Sequence, residues 1–177
     1  MQVSLDACDW AKITSFGSAE NYVEFLLNDD IPDDEKYAFQ VSIGSSRWCD
    51  SFMLYMSAYT VLQHLAEISD PVTADHLRRG IQQLIVESGH PDEFAMAEAS
   101  DGCYWISISP PAVVEIKAHI DATDFDRCLD LLETNPCMED GKLLIVPKAQ
   151  LLESIDQHRQ VVDLAVSKGY GLLGHVG

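Results

Sequence analysis

Asp29-Asp30-Ile31-Pro32-Asp33-Asp34-Glu35 runs directly into Lys36-Tyr37-Ala38-Phe39-Gln40-Val41-Ser42-Ile43, and the reading of these residues decides the fold. The first part places five carboxylates in seven residues. Such density suits a solvated loop, because like charges packed together repel. In the second part Tyr37, Phe39, Val41 and Ile43 alternate with Ala38, Gln40 and Ser42. A period of two predicts a strand with one buried face and one wet face.

The same period recurs on either side. Val3, Leu5 and Ala7 alternate with polar neighbours, and Val114, Ile116, Ala118 and Ile120 alternate with Glu115, Lys117 and His119. Leu143-Leu144-Ile145-Val146 is apolar throughout, which suits a strand covered on both faces. Asp101-Gly102 separates strand-like runs at 94–99 and 103–109 and favours a two-residue hairpin turn.

Helix signals fill the remainder. Ser18 predicts a cap for a helix to 27, and Asp50 one for a long helix to 68. Thr73 opens a helix whose face holds Leu77, Ile81, Leu84, Ile85 and Ser88, with Gly89 as its stop. Thr123 starts a short helix with Phe125, Cys128, Leu129 and Leu132 inward and Asp126, Asp130 and Glu133 outward. Pro147 suits the first turn of a last long helix, with Leu151, Leu152, Ile155, Val162 and Ala165 inward and Gly169 at its end. Residues 170–177 read as a loose tail. The expectation is a single α+β domain over 1–177, with a mostly antiparallel sheet of about five or six strands and helices packed mainly on one face. The order repeats no βαβ unit and offers no glycine-rich phosphate loop, which argues against nucleotide-binding folds.

Charge narrows the function classes. Asp and Glu number 29 against 11 Lys and Arg, a formal net charge of −18 on 177 residues. Binding to nucleic acid or an anionic membrane is not expected, because phosphate binding needs a basic surface. A basic protein partner is favoured instead. At 47 % apolar residues the chain has the composition of a folded protein. The first residues show neither a basic segment nor an apolar signal core, and no run reaches membrane-span length, so a cytoplasmic location is expected.

Catalytic and metal motifs are recognised by the spacing of their residues. Cys8, Cys49, Cys103, Cys128 and Cys137 form no C-x-x-C pair, and reduced, apolar roles are expected for them. Cys49, just before a predicted helix and two residues from Arg47, is the best candidate nucleophile, with His90 as its partner. Asp50 beside it opposes thiolate formation. His64, His76, His90, His119, His158 and His175 show no H-x-H, no i,i+4 pair and no H-E-x-x-H. Asp121, Asp124 and Asp126 have the wrong spacing for a calcium loop and suit a helix start better. No metal and no cofactor is therefore expected.

These features converge on an acidic binding protein. The expected partner-binding residues are Asp29, Asp30, Asp33, Asp34 and Glu35, close in space to a second acidic element bearing Asp126, Asp130 and Glu133. Bacterial immunity proteins, which occlude the active site of a cognate toxin, resemble this chain in size and composition, without any shared motif. The alternatives are a cysteine-dependent hydrolase using Cys49 and His90, and a non-catalytic oligomeric scaffold.

Overall fold

The computed structural model describes residues 2–44, 54–81 and 104–176. Strand β1 (Gln2–Cys8) leads into three helices, α1 (Trp10–Thr14), α2 (Ala19–Leu27) and α3 (Asp33–Ser42). After β2 (Leu54–Tyr55) come α4 (Met56–Ile68) and α5 (Pro71–Gly80). Then follow β3 (Tyr104–Ile108), α6 (Pro110–Asp121) and α7 (Phe125–Asp130), the last continued by a 3₁₀ turn at Leu131–Glu133. A hairpin of β4 (Met138–Glu139) and β5 (Lys142–Leu143) precedes α8 (Lys148–Lys168) and β6 (Gly171–Val176).

The expected sheet of five or six strands is not present among the described residues. The main sheet has four strands in the order β2-β1-β6-β3, one of them only two residues long, and β4-β5 form a separate pair. Helices dominate instead, and they cover both faces of the sheet. Consecutive strand residues point to opposite faces. Leu172 packs with Leu5, Ala7 and Ile108 against the layer of α4 to α8, whereas Leu173 packs with Cys8, Ile13, Tyr22 and Ile43 against α1 to α3.

Two expected strands are helices, and both carried helix-start signals that the alternation masked. At 37–42 the chain is α3, with Ile43 as its C-cap. Pro32 precedes it, and Asp33, Asp34 and Glu35 occupy its first turn, where carboxylates stabilise the unpaired amides of the helix dipole. At 114–120 the chain is α6. Ser109 caps it, Pro110 and Pro111 open it, and Ala112, Val113, Ile116 and Ile120 are buried at helical spacing. Two adjacent prolines also cannot donate to a sheet ladder.

The apolar run 143–146 is not a strand buried on both faces either. Leu143 and Ile145 are exposed, while Leu144 and Val146 lean on the main core. The long helix expected from Asp50 begins at Met56, after β2, and residues 45–53 lie outside the described residues. Asp70, not Thr73, caps α5, and Thr73 donates its hydroxyl to Asp70 at 2.7 Å. Asp124, not Thr123, caps α7. The first arm and the turn of the expected Asp101-Gly102 hairpin, and residues 84–89, also fall outside the described residues; within its expected second arm, Tyr104–Ile108 is β3 and pairs with β6.

The largest correction concerns residues 170–177. Gly171–Val176 is no tail but β6, paired antiparallel on one side with β1, Ala7 opposite Leu172, and on the other with β3, Ile108 opposite Leu172. Gly169 ends α8 at φ 64°, a left-handed conformation that turns the chain back into the sheet. Gly171 starts β6 in a space with no room for a side chain. A Cβ there would lie 2.7 Å from the Ile108 carbonyl oxygen and would clash with Cε3 and Cζ3 of the Trp10 ring. Gly171→Ala is therefore expected to destabilise the fold by about 3 kcal/mol, through overpacking against backbone that cannot yield. Urea denaturation checks this; a midpoint unchanged from wild type would show that Trp10 moves aside freely.

Candidate functional site

The acidic run sits at the corner between α2 and α3, and local chemistry builds that corner. Ser18 caps α2 by accepting from the Asn21 amide at 3.2 Å, and Asn21 Nδ2 donates to the Phe16 carbonyl at 2.7 Å. Phe16 then meets Tyr22, Phe25 and Phe39 at ring-centroid distances of 5.4, 5.4 and 5.2 Å. Such tilted and edge-on ring pairs fix α2 against α3. Between the helices, Asn28 Oδ1 accepts from the Asp30 amide at 2.9 Å and its carbonyl accepts from Ile31 at 3.2 Å, which makes a tight turn.

The carboxylates of Asp29, Asp30, Asp33, Asp34 and Glu35 are all exposed on this turn and the first turn of α3. Lys36 approaches Asp33 at 3.9 Å, but the Asp33 side chain is fully exposed, so solvent screens the pair and the corner stays strongly negative. The two helices that form this corner also expose apolar side chains. Leu27 is 74 % exposed, Tyr37 62 % and Val41 48 %. Tyr37 and Val41, four residues apart, share one face of α3. The sequence reading missed these two because it put them on the buried face of a strand. The available signal was Pro32 followed by three acids, a helix start that turns Tyr37 away from Phe39.

The second acidic element stands elsewhere. Phe125, Cys128 and Leu129 root α7 in the main core, on the face of the sheet opposite α3. The two acidic elements thus do not join into one patch. Lys148 also dilutes the second, with Nζ 2.5 Å from Asp130 and 3.4 Å from Asp126, and these bonds, that to Asp130 foremost, hold its ammonium above the ordinary lysine range. Glu133 is exposed in the 3₁₀ turn. The three aspartates weighed for calcium have three separate tasks. Asp121 pairs with Lys117 at 3.0 Å, Asp124 accepts from the Arg127 amide at 3.1 Å, and Asp126 faces Lys148.

Cys49 and His90 lie outside the described residues. Cys8, Cys128 and Cys137 are free and buried. Burial, reinforced by Asp6 and Asp9, pushes the Cys8 thiol up to about 12, and burial also raises Cys128 and Cys137, so none of the three is a thiolate at neutral pH. A cavity of about 400 Å³ opens between the ends of α4 and α6 and the starts of α5 and α7, with Asp70, Asp124 and Arg127 among its lining residues. Both of its aspartates are engaged as helix caps. The hairpin and the segment after it expose Met138, Leu143 and Ile145, the feature nearest to what an oligomeric scaffold requires. Among the described residues no helix is long and apolar enough to cross a membrane. No family model, no curated protein and no solved structure matches the chain.

Proposed function

We propose that this protein binds a basic protein partner through the α2–α3 corner, as an immunity-type inhibitor binds the toxin or enzyme whose active site it covers. One observation carries the reading: five exposed carboxylates occupy the turn and the first turn of α3, flanked along the chain by the exposed Leu27 at the end of α2 and by the exposed Tyr37 and Val41 along α3, with α2 and α3 joined by packed aromatic rings. Each part has a distinct task. The carboxylates draw in a cationic surface over about 8 Å at physiological salt and set the on-rate. The apolar side chains, desolvated on contact, set the off-rate, as anchors in protein interfaces do. Asp126, Asp130 and Glu133 are not part of this surface.

The test is capture of the partner from the native host, followed by association kinetics on the captured protein. Charge reversal by Asp33→Lys with Asp34→Lys is expected to slow association about tenfold or more at low salt. Neither side chain is buried, so the cost to the fold is confined to the first turn of α3, where two lysines replace acids, and is about 1–2 kcal/mol. Tyr37→Ala is expected to speed dissociation and to leave association nearly unchanged. A captured partner with a net negative charge, or association indifferent to both salt and charge reversal, overturns the reading.

A further inference from the structure

Helices α5 and α6 lie close together. A Cβ added at Gly80 of α5 would meet the Ile120 side chain at 3.2 Å and the Ile120 backbone nitrogen at 3.3 Å. One turn back along α5, His76 faces His119 of α6. Their Nδ1 atoms are 2.9 Å apart, their ring centroids 5.1 Å, and their planes are tilted by 49°. Both residues are half-buried, so the pair is held by its surroundings yet still open to small solutes. The Thr123 hydroxyl donates to the His119 carbonyl at 2.8 Å and secures the end of α6. The charged neighbours are Asp75, paired with Arg79 at 3.6 Å, and Glu115.

We propose that His76 and His119 form a two-imidazole site for a divalent copper ion. Two nitrogen ligands at about 2.0 Å from a metal, in adjacent positions of a square-planar site, are about 2.8 Å apart; in a tetrahedral site they are about 3.3 Å apart. The observed 2.9 Å matches the square-planar arrangement that Cu(II) prefers. Copper also stands highest in affinity for nitrogen ligands among the divalent first-row ions. Without metal, one ring donates its Nδ1 proton to the other; with metal, both Nδ1 lone pairs turn to the ion, and the ring that donated gives up its Nδ1 proton and takes one up at Nε2 from solvent, so both rings stay neutral and no net proton is released. Water fills the other coordination positions, because among the described residues no third His, Cys, Asp or Glu completes a cage. The net charge of −18 raises the local concentration of any cation. Local spacing rules cannot find this pair, whose members are 43 residues apart.

Titration of the purified protein with Cu(II) in a non-coordinating buffer, followed by electron paramagnetic resonance, tests the proposal. The expected result is saturation at about one equivalent, with a tetragonal spectrum carrying couplings from two imidazole nitrogens. His76→Gln and His119→Gln are each expected to remove one coupling and to weaken binding about tenfold or more. On the wild-type protein, paramagnetic broadening of histidine resonances is expected to be strongest at these two rings, a readout that does not depend on any variant folding. The absence of saturable binding overturns the proposal. So does a two-imidazole spectrum that persists in the double variant, or broadening centred on another histidine.

Discussion

Removal of residues 171–177 is expected to abolish cooperative folding. β6 lies between β1 and β3, so its loss leaves β3 without a ladder partner and β1 with only the two-residue β2, and it exposes two unpaired edges. It also opens both cores at once, because Leu172 is sealed into one and Leu173 into the other. Each fully buried leucine contributes about 2 kcal/mol by burial alone, and truncation to alanine costs about 2–5 kcal/mol. Against a total stability of about 5–15 kcal/mol, losing both side chains with the central ladder removes the native state. Circular dichroism and denaturant titration of the shortened chain check this. Leu172→Ala, which keeps the ladder, is expected to fold with a midpoint lowered by the cavity cost. A shortened chain that still unfolds in one sharp transition near the wild-type midpoint would show that the strand is dispensable.

Acidification is expected to destabilise the protein through His158. This side chain, on α8, is fully buried, and its Nε2 lies 3.2 Å from the Gly80 carbonyl at the end of α5. A carbonyl only accepts, so Nε2 carries the proton of the neutral ring. Acid then adds a second proton at Nδ1 and places a charge in the core. Burial resists that charge and lowers the imidazole from its ordinary 6.5 to about 4, with a small further push from Arg159. The sign follows from linkage. The unfolded chain takes up the proton first, so the contribution is complete above about 6.5 and is lost as the pH falls towards 4. At about 1.4 kcal/mol per pH unit the loss is about 3 kcal/mol. Burial lowers His119 as well, and His76 and Arg79 add to it, so that ring acts in the same sense.

Neutralising carboxylates in acid relieves the repulsion of a −18 chain and acts the other way, so the comparison must be between variants. His158→Gln is expected to be less stable than wild type at neutral pH and to show a flatter decline between about pH 6.5 and 4. Parallel pH–stability curves for the two proteins would remove His158 from the account.

The acidic corner was partly legible in the sequence. Five carboxylates in seven residues predict exposure, since no core accommodates them unpaired, and all five are exposed. That α7 lies on the other face of the sheet was not legible, because which face a helix covers depends on contacts far along the chain. The apolar members of the corner were hidden by a coincidence of spacing. Tyr37, Phe39, Val41 and Ile43 satisfy a period of two, yet Phe39 and Ile43 also satisfy the i,i+4 spacing of a helix. In α3 the latter pair turns inward, and Tyr37 and Val41 face solvent.

What the sequence determined by itself was local: the acidity of the chain, the span of α2 behind its Ser18 cap, the inward face of α7, and the run of α8 from Pro147 to the left-handed Gly169. Each depends on groups within a turn or two of one another, where capping, charge and periodicity act directly. What only the tertiary structure decided was the pairing of distant parts. Gly171-Leu172-Leu173-Gly174-His175-Val176 has two glycines and no alternation, so nothing within it specifies a strand. It becomes the centre of the sheet because β1 and β3 offer ladders on both sides and its adjacent leucines enter opposite cores. The contact of His76 with His119 is of the same kind, since it exists only where α5 lies against α6.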